Sequence, residues 1–275
     1  MMDEAGQVDA LGLRKVAVAA ARVGAAAALP FFRRPDLAVE WKADESPVTV
    51  ADRACEGAIR AHLAQARPAD AWLGEETGTA AGTSGLGWIV DPIDGTRNFV
   101  RGVPLWSTLV ACARLPAAGE PEVLAACVLL PALDECYDAA LGAGARCNGQ
   151  PIHVSAIDRL DQSMWCFETP TWFRSQGLSK VFAELEEQCA LSRGLSDAYG
   201  HMLVASGRAE LMVEPQLAMW DVAATSLVVR EAGGRFSDLD GKEPGMSSGH
   251  AVVSNGLVHD QALALIARHR QRPSP

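Results

Sequence analysis

The segment Trp88-Ile89-Val90-Asp91-Pro92-Ile93-Asp94-Gly95-Thr96 places two carboxylates three residues apart, directly after an apolar run. Hard divalent cations take oxygen ligands, and Mg²⁺ typically accepts one or two carboxylates together with water and phosphate oxygens. Pro92 turns the chain between Asp91 and Asp94, so both can reach one ion, with the Ile93 carbonyl as a further donor. The N–H groups of Gly95 and Thr96 then lie where a phosphate could be cradled. Taken alone, the segment reads equally well as an Asp-rich turn capping a helix, because Asp, Pro and Gly are turn formers. Two more acidic groups stand in similar places. Gly74-Glu75-Glu76 closes a short apolar run, and Trp220-Asp221 opens a helix that begins in Ala223 and Ala224. Each has an ordinary explanation by itself, as solvated loop glutamates or as a helix cap.

These residues need elements to hold them. Val16, Ala19, Val23 and Ala26 recur at helical spacing and predict an amphipathic helix over about the first 30 residues, ended by Pro30. Thr49 and Asp52 form a capping pattern that opens a second helix with the inner stripe Cys55, Ile59 and Leu63. Ala71–Leu73 and Trp88–Val90 read as strands that stop at acids, a natural place for a site. Leu105–Ala113, Val123–Leu130 and Glu135–Leu141 read as β-structure joined by short turns. Beyond about Gly142 strands and helices alternate. Strands are expected at Trp165–Glu168, Leu211–Val213 and Ala251–Val253, and helices at Ser179–Cys189, Tyr199–Ser206, Val222–Glu231 and Gln261–Arg268. The pattern is that of a layered α/β (α+β) sandwich in two lobes, 1–145 and 146–275.

The 275 residues carry 24 Lys and Arg against 34 Asp and Glu, a net charge of −10. An acidic chain has no general attraction for nucleic acid or for an anionic membrane, so an anionic substrate would need the field reversed locally, most simply by a metal ion. The Ala-rich stretch Val16–Leu29 carries Arg22 and is preceded by Asp3 and Glu4, which is not the pattern of a signal peptide. The seven cysteines are odd in number and lack the spacing of a zinc or redox site, so they read as reduced thiols of a cytoplasmic protein. The basic tail Arg268–Pro275 is expected to fray.

In order along the chain, Lys42 with Thr49-x-Ala51-Asp52, Gly74-Glu75-Glu76, the Trp88–Phe99 segment and Trp220-Asp221-Val222-Ala223-Ala224 resemble the inositol monophosphatase superfamily of Mg²⁺-dependent phosphatases. Gly149, Pro151 and Ser155 fit as well. The resemblance covers nearly the whole chain and implies an αβαβα sandwich of the sugar-phosphatase type and a homodimer. It implies two to three Mg²⁺ ions: Glu75, Asp91 and the Ile93 carbonyl on the first, Asp91, Asp94 and Asp221 on the second, and Glu75 with water on a weaker third. Thr96, bonded to Asp52, would help Glu75 activate the attacking water, and Lys42 would support the metal site. Haloacid dehalogenase phosphatases place one residue between their two aspartates, whereas Pro92 and Ile93 both separate this pair. Gly245-x-Ser247-x-Gly249 matches a serine-hydrolase elbow by letters, but no helix is expected after it. The six histidines show no zinc spacing. A non-catalytic binding protein would have lost ligands, and none is missing.

Within the superfamily, Asn98-Phe99-Val100-Arg101-Gly102-Val103-Pro104 is similar to the loop of bacterial histidinol-phosphate phosphatases. So is the Arg193-x-x-x-Asp197 spacing, where inositol-specific members carry a small residue. A carboxylate at Asp197, shared with Glu214, suits a small substrate with an ammonium group. The other reading is that Asp197 pairs with Arg193 one helical turn away and touches no substrate. L-histidinol phosphate is therefore the expected ester, with inositol phosphate or another polyol phosphate as the alternative.

Overall fold

A computed structural model describes residues 9–42, 46–116, 119–195, 197–243 and 246–270. The chain opens with α1 (Ala10–Ala28), the antiparallel pair β1 (Val39–Trp41) and β2 (Pro47–Thr49), and α2 (Val50–Ala66). Next come β3 (Ala71–Gly74), β4 (Gly78–Ala80), β5 (Leu86–Asp94) and the short α3 (Thr96–Val100). A meander follows through β6 (Ser107–Arg114), β7 (Glu122–Leu130), β8 (Glu135–Ala140), β9 (Ala145–Cys147) and β10 (Gln150–Pro151). The second half begins with β11 (Met164–Cys166), α4 (Pro170–Ser175), α5 (Ser179–Gln188), β12 (Leu191–Arg193) and α6 (Asp197–Ala205). It ends with β13 (Leu211–Glu214), α7 (Met219–Glu231), β14 (Arg235–Ser237), β15 (Ala251–Ser254) and α8 (His259–His269).

Among the described residues there are two large sheets. One has the order β10-β9-β8-β7-β6-β5-β3-β4, and the other β12-β11-β13-β15-β14. Side-chain alternation along each strand sorts the apolar residues into three cores. Trp88 and Val90 of β5 face α1 and α2, whereas Ile89 faces the opposite way, into a core shared with α6 and α7. That middle core also takes Met212 and Val253 of the smaller sheet. Leu211 and Val252, on that sheet's other face, pack against α5 and α8. With the middle core filling both gaps around α6 and α7, three cores occupy the four gaps of the expected αβαβα sandwich.

The stripe on α1 differs from the expected one. Val23 and Ala26 are exposed, and the buried face is Leu13, Ala17, Ala20, Ala21, Gly24, Ala25 and Ala28. Smallness decides the face: a Cβ on Gly24 would stand 2.5 Å from Ile59 Cγ1, so α1 approaches α2 as closely as it does only with glycine there. On α2, Cys55, Ile59 and Leu63 are buried as expected. Strand β5 does not stop before Asp91 but runs on to Asp94, with a register shift against β6 between the two acids. The Pro92 carbonyl is taken by Thr108 Oγ1 at 2.9 Å, which holds the irregular stretch to the sheet. The β1–β2 pair, α4 and β14 give no signal in the apolar pattern.

No helix among the described residues is long and apolar enough to cross a membrane. The seven cysteines are all free thiols, and all but Cys147 are buried. Asp3, Glu4, Gly245 and residues 271–275 of the tail lie outside the described residues. Ser247 is exposed in a turn and no helix follows it.

Candidate active site

The ends of β3 and β5 lie side by side because those two strands are parallel, with Gly74 opposite Val90. Glu75 follows β3, its N–H donating to the Val90 carbonyl at 3.2 Å. Asp91 and Asp94 belong to β5, and Asp221 stands in the first turn of α7. One carboxylate oxygen from each of Asp91, Asp94 and Asp221 falls within 4.8 Å of the others. These acids border a cleft of about 750 Å³ that Glu168, Asp197 and Glu214 also line.

Asp94 and Asp221 are each held by one oxygen of the carboxylate. Asp94 Oδ2 accepts from Ser107 Oγ at 2.9 Å and from the Ala198 N–H at 2.8 Å. Asp221 Oδ2 accepts from the Ala218 N–H at 2.7 Å, a helix-capping bond that fixes its rotamer. Asp91 is almost fully buried, and its Oδ1 has no hydrogen-bond partner. A buried carboxylate oxygen without a donor is costly unless a cation completes it. The oxygen-only donor set fits a hard divalent ion. Burial, followed by the charges of Glu75, Asp94 and Asp221, pushes Asp91 well above the usual carboxylate range. Burial and the nearby Asp197 and Asp221 do the same to Asp94. Asp221 is pushed up to about 7, first by burial and then by Glu75, Glu214 and Asp197 against the Ala218 bond.

One cation and several neutral donors stand among further carboxylates around these acids. Lys42 Nζ sits 2.7 Å from Glu75 Oε1 and 2.6 Å from Glu76 Oε1. Burial works against the ammonium charge, but the two glutamates hold Lys42 above its ordinary range. Thr96 Oγ1 lies 2.9 Å from the Ile93 carbonyl and 3.2 Å from Asp52 Oδ1. Asp52 Oδ2 accepts from both the N–H and the hydroxyl of Thr49, so the capping box of α2 also aims Asp52 at Thr96. Burial raises Asp52 despite the bonds from Thr49 and Thr96. Gly95 has φ +81°, and a Cβ there would stand 3.0 Å from Asp197 Oδ2 and from the Leu105 carbonyl. Asn98 Nδ2 donates to those same two oxygens, at 2.9 and 2.8 Å.

The structure thus brings together Lys42, Asp52, Glu75, Asp91, Ile93, Asp94, Gly95, Thr96, Asp197, Glu214 and Asp221. It does not bring in Arg193, which is exposed on β12, donates to the Ser192 carbonyl and does not line the cleft. Arg193 and Asp197 share no helix, because α6 begins at Asp197. Three residues escaped sequence reasoning. Buried Glu56 accepts from the N–H groups of Glu76 and Thr77 at 2.8 and 2.9 Å and from the Thr77 hydroxyl, and so fixes the turn that carries Glu75. Its signal was available: a charge one turn after Asp52, beside the apolar stripe of α2. Ser107 and Glu168 carried no comparable mark.

The inositol monophosphatase family model matches residues 10–273. The chain is 40% identical over 246 residues to a histidinol-phosphatase of Streptomyces coelicolor, covering 88% of this chain and 91% of that one. It is 35% identical to an inositol-1-monophosphatase of Rhizobium meliloti, covering 92% and 94%. Among solved structures, the extragenic suppressor protein suhB of Bartonella henselae superposes with a TM-score of 0.86 at 28% identity, covering 94% and 100%. The acid-lined cleft between the two sheets, the motif order and these matches agree: the chain belongs to the inositol monophosphatase family.

Proposed function

We propose that this protein is a Mg²⁺-dependent phosphoric monoester hydrolase that releases L-histidinol and phosphate from L-histidinol phosphate, in the cytoplasm and as a homodimer. The observation that carries the hydrolase reading is the convergence of Asp91, Asp94 and Asp221 within 4.8 Å on a cleft where a buried Asp91 oxygen lacks any donor. The likeness to the Streptomyces histidinol-phosphatase supports the choice of ester. Glu75, Asp91, Ile93, Asp94 and Asp221 would hold two to three ions. When bound, such ions supply positive charge to a phosphate and acidify water. In this reading the N–H groups of Gly95 and Thr96 bind phosphate oxygens. Asp52 fixes the Thr96 hydroxyl, Thr96 holds the attacking water, and Glu75 takes its proton. Lys42 keeps Glu75 in place. Water forms the new P–O bond, the ester P–O bond breaks, and the departing alcohol oxygen takes up the proton that left the water. Lobe 1–145 supplies most of the metal-side acids, and lobe 146–275 supplies Asp221 and the substrate-side Asp197 and Glu214.

The test is a panel of phosphate esters at fixed Mg²⁺, ranked by kcat/KM. L-histidinol phosphate is expected first. An inositol phosphate in first place would replace the substrate, and full turnover after EDTA treatment would remove the metal.

A further inference from the structure

The smaller sheet places three carboxylates at one edge. Strands β12, β11 and β13 are adjacent and parallel, so their carboxyl ends open on the same side, where ligands of such sheets bind. Glu214 is the last residue of β13, and Glu168 lies two residues beyond β11. The register pairs Cys166 with Met212, which sets Glu168 level with Glu214. Asp197 opens α6 after β12, at a φ of +58°. All three line the cleft that Asp91, Asp94 and Asp221 also line, and Asp197 reaches across to Asn98.

Glu214 indicates what this edge lacks. Its side chain is 1% exposed, and among the described residues its Oε1 has no hydrogen-bond partner. Oε2 lies 2.6 Å from His201 Nε2 without the alignment of a hydrogen bond, and the other ring nitrogen of His201 faces Thr225 Oγ1 at 2.9 Å. Lys42 is engaged on the opposite wall by Glu75 and Glu76, and the Arg97 guanidinium lies over the Trp41 ring, 5.9 Å from its centre. A buried carboxylate aimed into a cleft beside two further acids calls for a cation with N–H donors.

We propose that Glu168 is a specificity-determining residue which, with Glu214 and Asp197, selects phosphate esters whose organic group carries an ammonium. This rests on the phosphomonoesterase reading above and adds to it one residue, Glu168. It is tested on the full chain with Mg²⁺ by comparing Glu168→Gln with the parent protein on two ligand pairs. Calorimetry measures L-histidinol against the same alcohol without its amine, and turnover measures the corresponding phosphates. The parent should prefer the amine-bearing member of each pair, and Glu168→Gln should cut that preference by about tenfold or more. An unchanged preference in the variant, or no preference in the parent, overturns the proposal. If the parent hydrolyses no ester, the hydrolase reading falls while the binding pair still decides the role of Glu168. Glu168→Asp keeps the charge and should keep the preference within a few-fold; a folded Asp variant that loses it as fully as Gln also overturns the proposal.

Discussion

The two walls of the cleft are both acidic but are built differently. On the wall of the larger sheet, Asp94 is pinned by a hydroxyl and a backbone N–H, and Asp221, reaching in from α7, by a capping N–H. Glu75 is clasped by Lys42. On the wall of the smaller sheet, Glu214 is buried with an unpaired oxygen, and Asp197 sits in a left-handed conformation that only its surroundings sustain. The first wall is preorganised to hold charge in a fixed geometry, as chemistry at a phosphate requires. Each wall also holds a buried carboxylate oxygen without a donor, Asp91 Oδ1 on the first and Glu214 Oε1 on the second, so both await a cation, and the second has fewer bonds fixing its acids. In the proposed reading, position in the fold separates the acids that act at the phosphate from those that meet the organic group, although both use the same functional group.

Substitutions on the two walls should fail in different ways. The largest effect is expected from Asp94→Asn, which still accepts from Ser107 and Ala198 but lacks the charge: kcat should fall about 10²- to 10³-fold or more with the circular dichroism spectrum unchanged. A fall of only a few-fold would dissolve the distinction between the walls. Asp197→Ala should cost L-histidinol phosphate about 10- to 150-fold in kcat/KM relative to p-nitrophenyl phosphate. Equal losses on both esters would make Asp197 a support for Asn98 rather than a reader of substrate. Glu56→Gln should weaken the turn under Glu75 and lower kcat roughly tenfold for every ester alike, since outer partners of metal ligands act without discrimination.

The smallest effect concerns stability. Burial and neighbouring acids raise Asp221 in the folded, metal-free protein to about 7 from an ordinary 3.8. The folded state then holds more protons than the unfolded one between those values, so stability falls as pH rises through that window. In EDTA, Tm should drop by a few degrees from about pH 5 to about pH 7.5, and Mg²⁺ at the higher pH should restore it by binding the folded state. A Tm that rises over that interval without metal would contradict this electrostatic account of the first wall.

Much of this was legible in the sequence because it is local. The strand-to-acid transitions at Gly74-Glu75 and Val90-Asp91, and the cap at Thr49 and Asp52, are written in consecutive residues. The α1 face was misread because its burial follows smallness against Ile59 rather than hydrophobicity. Arg193 was grouped with Asp197 by spacing, yet the chain changes from strand to helix between them. Glu168 was invisible because its meaning comes from the register of β11 with β13, which joins residues more than 40 apart in the chain.

The register shift in β5 has a consequence in parity. Residues three apart on a regular strand point to opposite faces of the sheet. Asp91 and Asp94 instead pair with Leu109 and Ser107, which are two apart, so the extra residue turns both acids to the same face. The larger sheet therefore counts an odd interval along β5 as an even one at this place. Deleting either Pro92 or Ile93 preserves every acid in the chain and leaves the two aspartates two apart, so a regular ladder would still turn both to one face but without the irregular stretch that sets their spacing and frees the Ile93 carbonyl. Spacing here is a structural quantity distinct from composition, and a one-residue change of length at this point reaches the site more directly than most changes of side chain.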